Sequence, residues 1–281
     1  MVLVAPRPLL QPAHLEVAAA ERSSGREVLA LLRGDTAARP RFDPELAGGL
    51  RAWLEDAAFD VVATRGEHAP PVFLGPSQLL GSPAGWRDDE GLSDELVLSR
   101  LVHVLFRQLV NEGGFDHPLR DALDGLRASG AEELVRHIES LPPAARASLS
   151  ETVASHAANV KEMVPRFAPG WMPRTNDRVA IPLAGGRVVL HGSFDLLVGL
   201  PQPGTASLCA LGLSTSGPWA RERRSLHYLA LLETLRSGTP PFRLALLESA
   251  TGRYGVEDVR EEHLRAIASH LSAWLATGPH G

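Results

Sequence analysis

Asp195 is the residue whose surroundings in the sequence best fit it for chemistry. It stands on a strand-like run, HGSFDLLVG (191–199), three residues after Gly192. The next strand-like run, LCALGLSTSG (208–217), carries Gly212 and Ser214 two residues apart. That spacing puts both on one face of a strand. A divalent metal needs two or three hard oxygen ligands converging from such positions. A lysine beside them would position or activate water and offset charge on a phosphate. Glycine has no side chain to offer and serine carries no charge, so metal-dependent phosphodiester cleavage finds a single anionic ligand here.

Other residues bear on a polyanion or a metal. Arg221, Arg223 and Arg224 cluster at the start of a helix-like run, RRSLHYLALLETL (223–235). A helix N-terminus with arginines around it favours anions; the plainer alternative is a solvated basic turn. Tyr228 follows Arg224 by four residues, so the two share a helix face and could meet a phosphate and a base. The plainer alternative is an amphipathic helix with one arginine and a half-buried tyrosine. Glu222 opens the same helix and is the one carboxylate there able to replace a missing ligand, with Arg223 or Arg224 for phosphate charge. His103 lies on a strongly apolar run, where a lone histidine is usually a satisfied core residue; with Asp195 it makes only two ligands. Arg174 and Arg187 flank the same β segment and could extend the basic patch.

The elements that must position these residues can be read from periodicity. Helices are expected at 12–33 with a break near Ser23–Gly25, and from Pro44 to Asp56. Residues 60–64 and 72–74 read as short β runs, and 76–90 as a loop or linker rich in Gly, Pro, Ser and Asp. Ser93 caps a helix that runs to about Asn111 and is closed by Gly113–Gly114. Further helices are expected at 116–129, 131–140 and 143–164. From Val179 the period shifts toward two, giving strands at 179–183, 187–199 and 207–215, with a hairpin turn at Gly185–Gly186. A helix at 218–237, a strand at 242–249, a turn at Gly252 and a helix at 259–276 complete the order. Three segments follow: an N-terminal extension (1–90), a helical region (91–178) and a β-rich core (179–281).

Composition narrows the classes. The chain has 281 residues, 44% hydrophobic and 22% charged, as in an ordinary globular protein. A net charge of −5 gives no global attraction to nucleic acid, so a polyanion site must be a local patch. Lys161 is the only lysine and lies well before the β segment, so it cannot supply the missing cation. Cys209 is the only cysteine, which excludes a disulfide framework and a cysteine-based zinc site. The N-terminal run lacks a basic start and a sustained apolar stretch, so no signal peptide is expected. No run reaches the roughly 18–20 apolar residues of a membrane span, so the expected location is the cytoplasm. No nucleotide-binding glycine loop, HExxH or GxSxG motif is present.

Residues 187–249 resemble the PD-(D/E)XK nuclease superfamily, in its RecB-like branch. The resemblance rests on HGSFDLLVG, LCALGLSTSG, RRSLHYLALLETL and FRLALLE (242–248). It implies an α/β (α+β) core, a mixed sheet flanked by helices, preceded by a large helical region. It places Gly192 and Asp195 at the family's glycine and aspartate, His103 at its upstream histidine and Tyr228 at its helix tyrosine. The family's acidic-x-Lys positions fall on Gly212 and Ser214. Thr215 keeps the threonine, with a one-residue slip at Ser216–Gly217, and Arg224 stands where a glutamine is expected. Three readings follow. The first is a catalytically degenerate module that binds DNA through the arginine patch, or a helicase or repair protein, and needs no cofactor. The second is an active nuclease using Mg²⁺ or Mn²⁺ at Asp195 and a migrated Glu222, with His103 as a further ligand. The third is a scaffold with no role on nucleic acid.

Overall fold

In this computed structural model the structure describes residues 24–33, 39–66, 68–79, 93–200, 206–215 and 219–277. The part of the expected 12–33 helix before residue 24, the part of the expected 76–90 loop after Leu79 and the Ser216–Gly217 step lie outside the described residues, and Pro76–Leu79 form a short helix instead of a loop. The helices are α1 (Gly25–Arg33), α2 (Leu46–Arg65), α3 (Pro76–Leu79), α4 (Asp94–Glu112), α5 (Pro118–Ala128), α6 (Glu132–Ser140), α7 (Pro143–Met163), α8 (Trp219–Ser237) and α9 (Glu261–Thr277). The strands are β1 (Val72–Leu74), β2 (Arg174–Leu183), β3 (Val188–Val198), β4 (Cys209–Ser214), β5 (Arg243–Glu248) and β6 (Arg253–Asp258). None of the helices is long and apolar enough to cross a membrane.

The class is α+β, with a mixed six-stranded sheet between layers of helices. β2 and β3 form a long antiparallel hairpin, and β4 runs antiparallel to the end of β3. β5 is parallel to β4, so α8 is the crossover that joins them. β6 turns back along β5, and β1 lies parallel to the start of β3. One face of the sheet packs on α2, α8 and α9, burying Leu190, Phe194, Leu226, Leu232 and Leu271. The other face packs on α1, α4 and α7, burying Leu196, Leu211, Val102, Phe106 and Val160. A third cluster unites α4 to α7 around Leu101, Leu105, Leu126 and Ile138.

α4 is central because it serves two of these clusters, as its nearly all-round apolar pattern requires. Its ends are those its sequence announces. The Ser93 side chain accepts from the Leu96 amide at 3.3 Å, and Gly113 takes the left-handed φ of 88° while its amide bonds the Leu109 carbonyl.

Two expectations are corrected. Residues 60–64 continue α2 instead of forming a strand, because Leu50, Leu54, Ala58 and Val61 make one helical stripe buried in the α2–α8–α9 core. Strand β6 was not expected, since RYGVED is short and polar; it exists because it pairs along the whole of β5. Residues 44–79, read as an extension, supply β1 to the sheet and α2 to its core.

Candidate functional site

The site begins at an irregularity in β3. Along this strand Val188, Leu190, Phe194 and Leu197 enter the α8-side core, while Leu196 and Val198 enter the opposite one. Strict alternation cannot put both Phe194 and Leu197 on one face, so the strand kinks between them, at Asp195. The β2 partner at this point is Asn176, which carries a positive φ of 52°, and the two are absent from an otherwise continuous ladder. The kink frees the Asp195 carboxylate from the sheet. β4 is bonded to β3 only over 209–211, and just beyond this the Asp195 side chain takes over: its Oδ2 accepts the Leu213 amide at 2.8 Å.

His103 reaches the same carboxylate from α4. Its Nε2 lies 3.4 Å from Asp195 Oδ1, and its Nδ1 lies 2.7 Å from the Ser99 carbonyl. A carbonyl only accepts, so Nδ1 carries a hydrogen, and a carboxylate opposite Nε2 favours a hydrogen there too. Burial alone would lower the His103 pKa; the Asp195 charge and the two hydrogen bonds outweigh it and raise the pKa above the ordinary 6.5. The Nε2 edge of His103 therefore faces the Asp195 side chain across 3.4 Å. The sequence named both residues and the fold brings them together.

Glu222, in the first turn of α8, belongs to the same cluster. Burial raises its pKa, Arg221 opposes this, Asp195 adds to it and His103 subtracts. Arg107 was missed by sequence reasoning. Burial lowers its pKa, Arg100 lowers it further and Asp195 offsets part of this. The signal available was spacing: Arg100, His103 and Arg107 sit three and four residues apart, on one face of α4.

Gly212 is the β4 residue nearest Asp195 in register. Continuing the β3–β4 register places it opposite Asp195. A Cβ on Gly212 would lie 3.1 Å from Leu226 Cδ2 and 3.4 Å from Leu246 Cδ1, so leucines of α8 and β5 close over the backbone. Ser214 is buried on β4, and its carbonyl accepts both the amide and the hydroxyl of Ser249.

The donor set does not fit Mg²⁺ or Mn²⁺ as it stands. Asp195 has one oxygen on the Leu213 amide and the other on His103, and both His103 nitrogens are engaged. Among the described residues no three His, Cys, Asp or Glu side chains form a group that could hold a metal ion.

The expected arginine–tyrosine contact with DNA is corrected. Tyr228 is 1% exposed, and its hydroxyl donates to the carbonyl of Leu74 at 2.7 Å, with that of His191 at 3.2 Å. It locks α8 onto β1 and β3 and has no ring face for a base. Arg223 is held by Glu257, with contacts of 2.7 and 2.8 Å. Arg221 and Arg224 are exposed. Arg187 donates to the carbonyls of Gly66 and Ala69, and Arg174 pairs with Asp177 at 2.9 Å, so both are structural. Lys161 lies elsewhere, over the Phe115 ring at 4.3 Å beside a polar cleft of about 1220 Å³ between the ends of α4 and α7.

Neither a scan against protein-family models nor a search of the curated proteins gives a match for this chain.

Proposed function

We propose that the chain is a RecB-like PD-(D/E)XK-fold module that binds DNA without cutting it, as a non-cleaving part of a repair or defence assembly. The observation that carries this reading is the 3.4 Å contact between His103 and Asp195. The resemblance predicts a histidine from the upstream helix beside the strand aspartate, and these residues are 92 positions apart in a chain with no other reason to join them. The order of three antiparallel strands, a crossover helix and a parallel strand supports it as well. Loss of cleavage follows from the donor set. Gly212 offers no carboxylate, Leu226 fills the space beside it, and Asp195 contacts the Leu213 amide and the His103 ring.

A second reading is favoured by Glu222, whose carboxyl senses Asp195 and His103 from α8. It is an Mg²⁺-dependent DNA nuclease with the second carboxylate migrated to the helix. One experiment separates the two. Purified protein is incubated with single- and double-stranded DNA with and without Mg²⁺ or Mn²⁺, and binding is followed against salt. The module reading expects salt-sensitive binding, weakened by Arg221→Ala and Arg224→Ala, and intact DNA throughout. Metal-dependent cleavage lost in both Asp195→Ala and Glu222→Gln would establish the nuclease. Neither binding nor cleavage at low salt leaves a scaffold.

A further inference from the structure

One end of the sheet has a single covered face. The α8-side core takes Val72 and Leu74 from β1, Val188 and Leu190 from β3, and Val179, Ile181 and Leu183 from β2. Strand alternation sends Phe73, Val189, His191, Arg178, Ala180 and Pro182 to the opposite face. The helices on that side pack on the other end of β3: their buried core takes Leu196 and Val198 from it and nothing from β1 or β2. Phe73, Arg178, Ala180 and Pro182 are exposed as a result, Phe73 by 59%.

The register makes these side chains one floor. Phe73 pairs with Val189, Val189 with Pro182, and His191 with Ala180. The Phe73 and His191 rings meet edge to face, with centroids 6.3 Å apart and planes inclined by 63°. Gly75 leaves room for the histidine, since a Cβ there would come 3.0 Å from His191 Cε1. The floor carries one arginine and no carboxylate. Its size decides what it can hold. At about 4.8 Å between strands and about 6.8 Å between same-face residues, the six positions cover roughly 200 Å². A specific protein interface takes about 800 Å² from each partner. One or two unpaired bases fit: an aromatic ring stacks on any base, and an arginine beside it meets the backbone phosphate.

We propose that Phe73 and His191, with Arg178, form a stacking platform for unpaired bases of single-stranded DNA. The choice of DNA rests on the reading above; the platform rests on the open end of the sheet. A duplex keeps its bases stacked inside, so the platform selects single strands. It shares β3 with Asp195, which follows His191 by four residues.

The test is anisotropy of a labelled oligothymidylate and of a duplex of equal length, each over a salt series. Phe73→Ala, shown folded by circular dichroism, is expected to bind the single strand about fivefold or more weakly, with its salt slope unchanged. Phe73→Trp should keep the parent affinity, and a loss there as large as in Phe73→Ala would count against stacking. Arg178→Ala should lower the log–log salt slope on the single strand by about 0.7, the loss of one phosphate contact. Neither change should touch duplex binding. Single-strand binding that is unchanged in Phe73→Ala would overturn the platform and leave the DNA reading standing. An equal loss on single strand and duplex would also overturn it, because stacking needs an unpaired base. Failure of the parent protein to bind either form would remove the DNA reading and the platform with it. A fall in solution mass from parent to Phe73→Ala by light scattering, with DNA binding unaltered, would overturn the platform and assign the face to a second copy of the chain.

Discussion

Two charged clusters flank α8, and they treat their charges in opposite ways. At the α8–β6–α9 contact Glu257 sits between Arg223 at 2.7 Å and His227 at 2.5 Å. His227 then stacks on His263, with ring centroids 4.7 Å apart and planes inclined by 17°. Burial would raise the Glu257 carboxyl, but its bonds to His227 and Arg223 pull it down to about 2. At the α4–β3–α8 contact Asp195 meets His103 at 3.4 Å, and Glu222 lies close enough for both charges to act on it. The first cluster is a closed network that ties three elements together. The second gathers a histidine, two carboxyl groups and arginines around a kinked strand. Saturation with internal partners is what separates a structural ion network from a candidate site.

The comparison can be broken in order of expected effect. Glu257→Ala leaves Arg223 and His227 buried without their anion, and removing one member of such a set costs about 3–5 kcal/mol. Urea unfolding should show it, and a loss below about 1 kcal/mol would deny the network its structural role. Its pH signature has a definite sign. The Glu257 pKa is depressed from 4.5 to about 2, so its stabilisation is full above pH 4.5 and is lost as pH falls toward about 2. Stability of the Glu257→Ala variant should lack that acid limb.

Gly212→Asp comes next. Its new Cβ meets Leu226 at 3.1 Å, and overpacking of this kind costs about 1–3 kcal/mol before the buried charge is counted. In a Leu226→Ala background the same change should cost less, and a double-mutant cycle measures the coupling. Equal costs in both backgrounds would mean that Leu226 does not close the vacated position.

Asp195→Asn should change stability least. Both side chains of the His103 pair are 29% exposed, which limits such a contact to under about 1 kcal/mol, and the asparagine oxygen still accepts the Leu213 amide. Its mark is on titration. His103 has a raised pKa in the folded chain, so its contribution is full below the ordinary 6.5 and lost as pH rises through the folded value. With the carboxylate gone, the His103 pKa followed by NMR should fall. An unmoved titration would show that Asp195 is not its counter-ion.

Much of this arrangement was legible in the chain. Ser93 and Gly113 marked the ends of α4 because capping is a local hydrogen-bonding requirement. The shift to a period of two marked β2 to β4. Tyr228 was misread because i and i+4 spacing says which residues share a helix face but not what covers it. Here β1 and β3 cover Tyr228 and leave Arg224 outside. Arg107 was overlooked although its spacing from Arg100 and His103 was readable, because spacing does not say what a helix face meets.

The sequence by itself determined the inventory: one aspartate on β3, no lysine near it, and a glycine at 212 on β4. Composition and local periodicity are properties of neighbours along the chain, and no packing can add a missing side chain. Only the tertiary structure decided how the remaining groups are used. The kink at Asp195, the reach of His103 across from α4 and the closure of Leu226 over Gly212 all join residues distant in sequence. Burial and charge pairing depend on those long-range contacts, so the same arginine type became a strut against Glu257 at Arg223 and stayed exposed at Arg224.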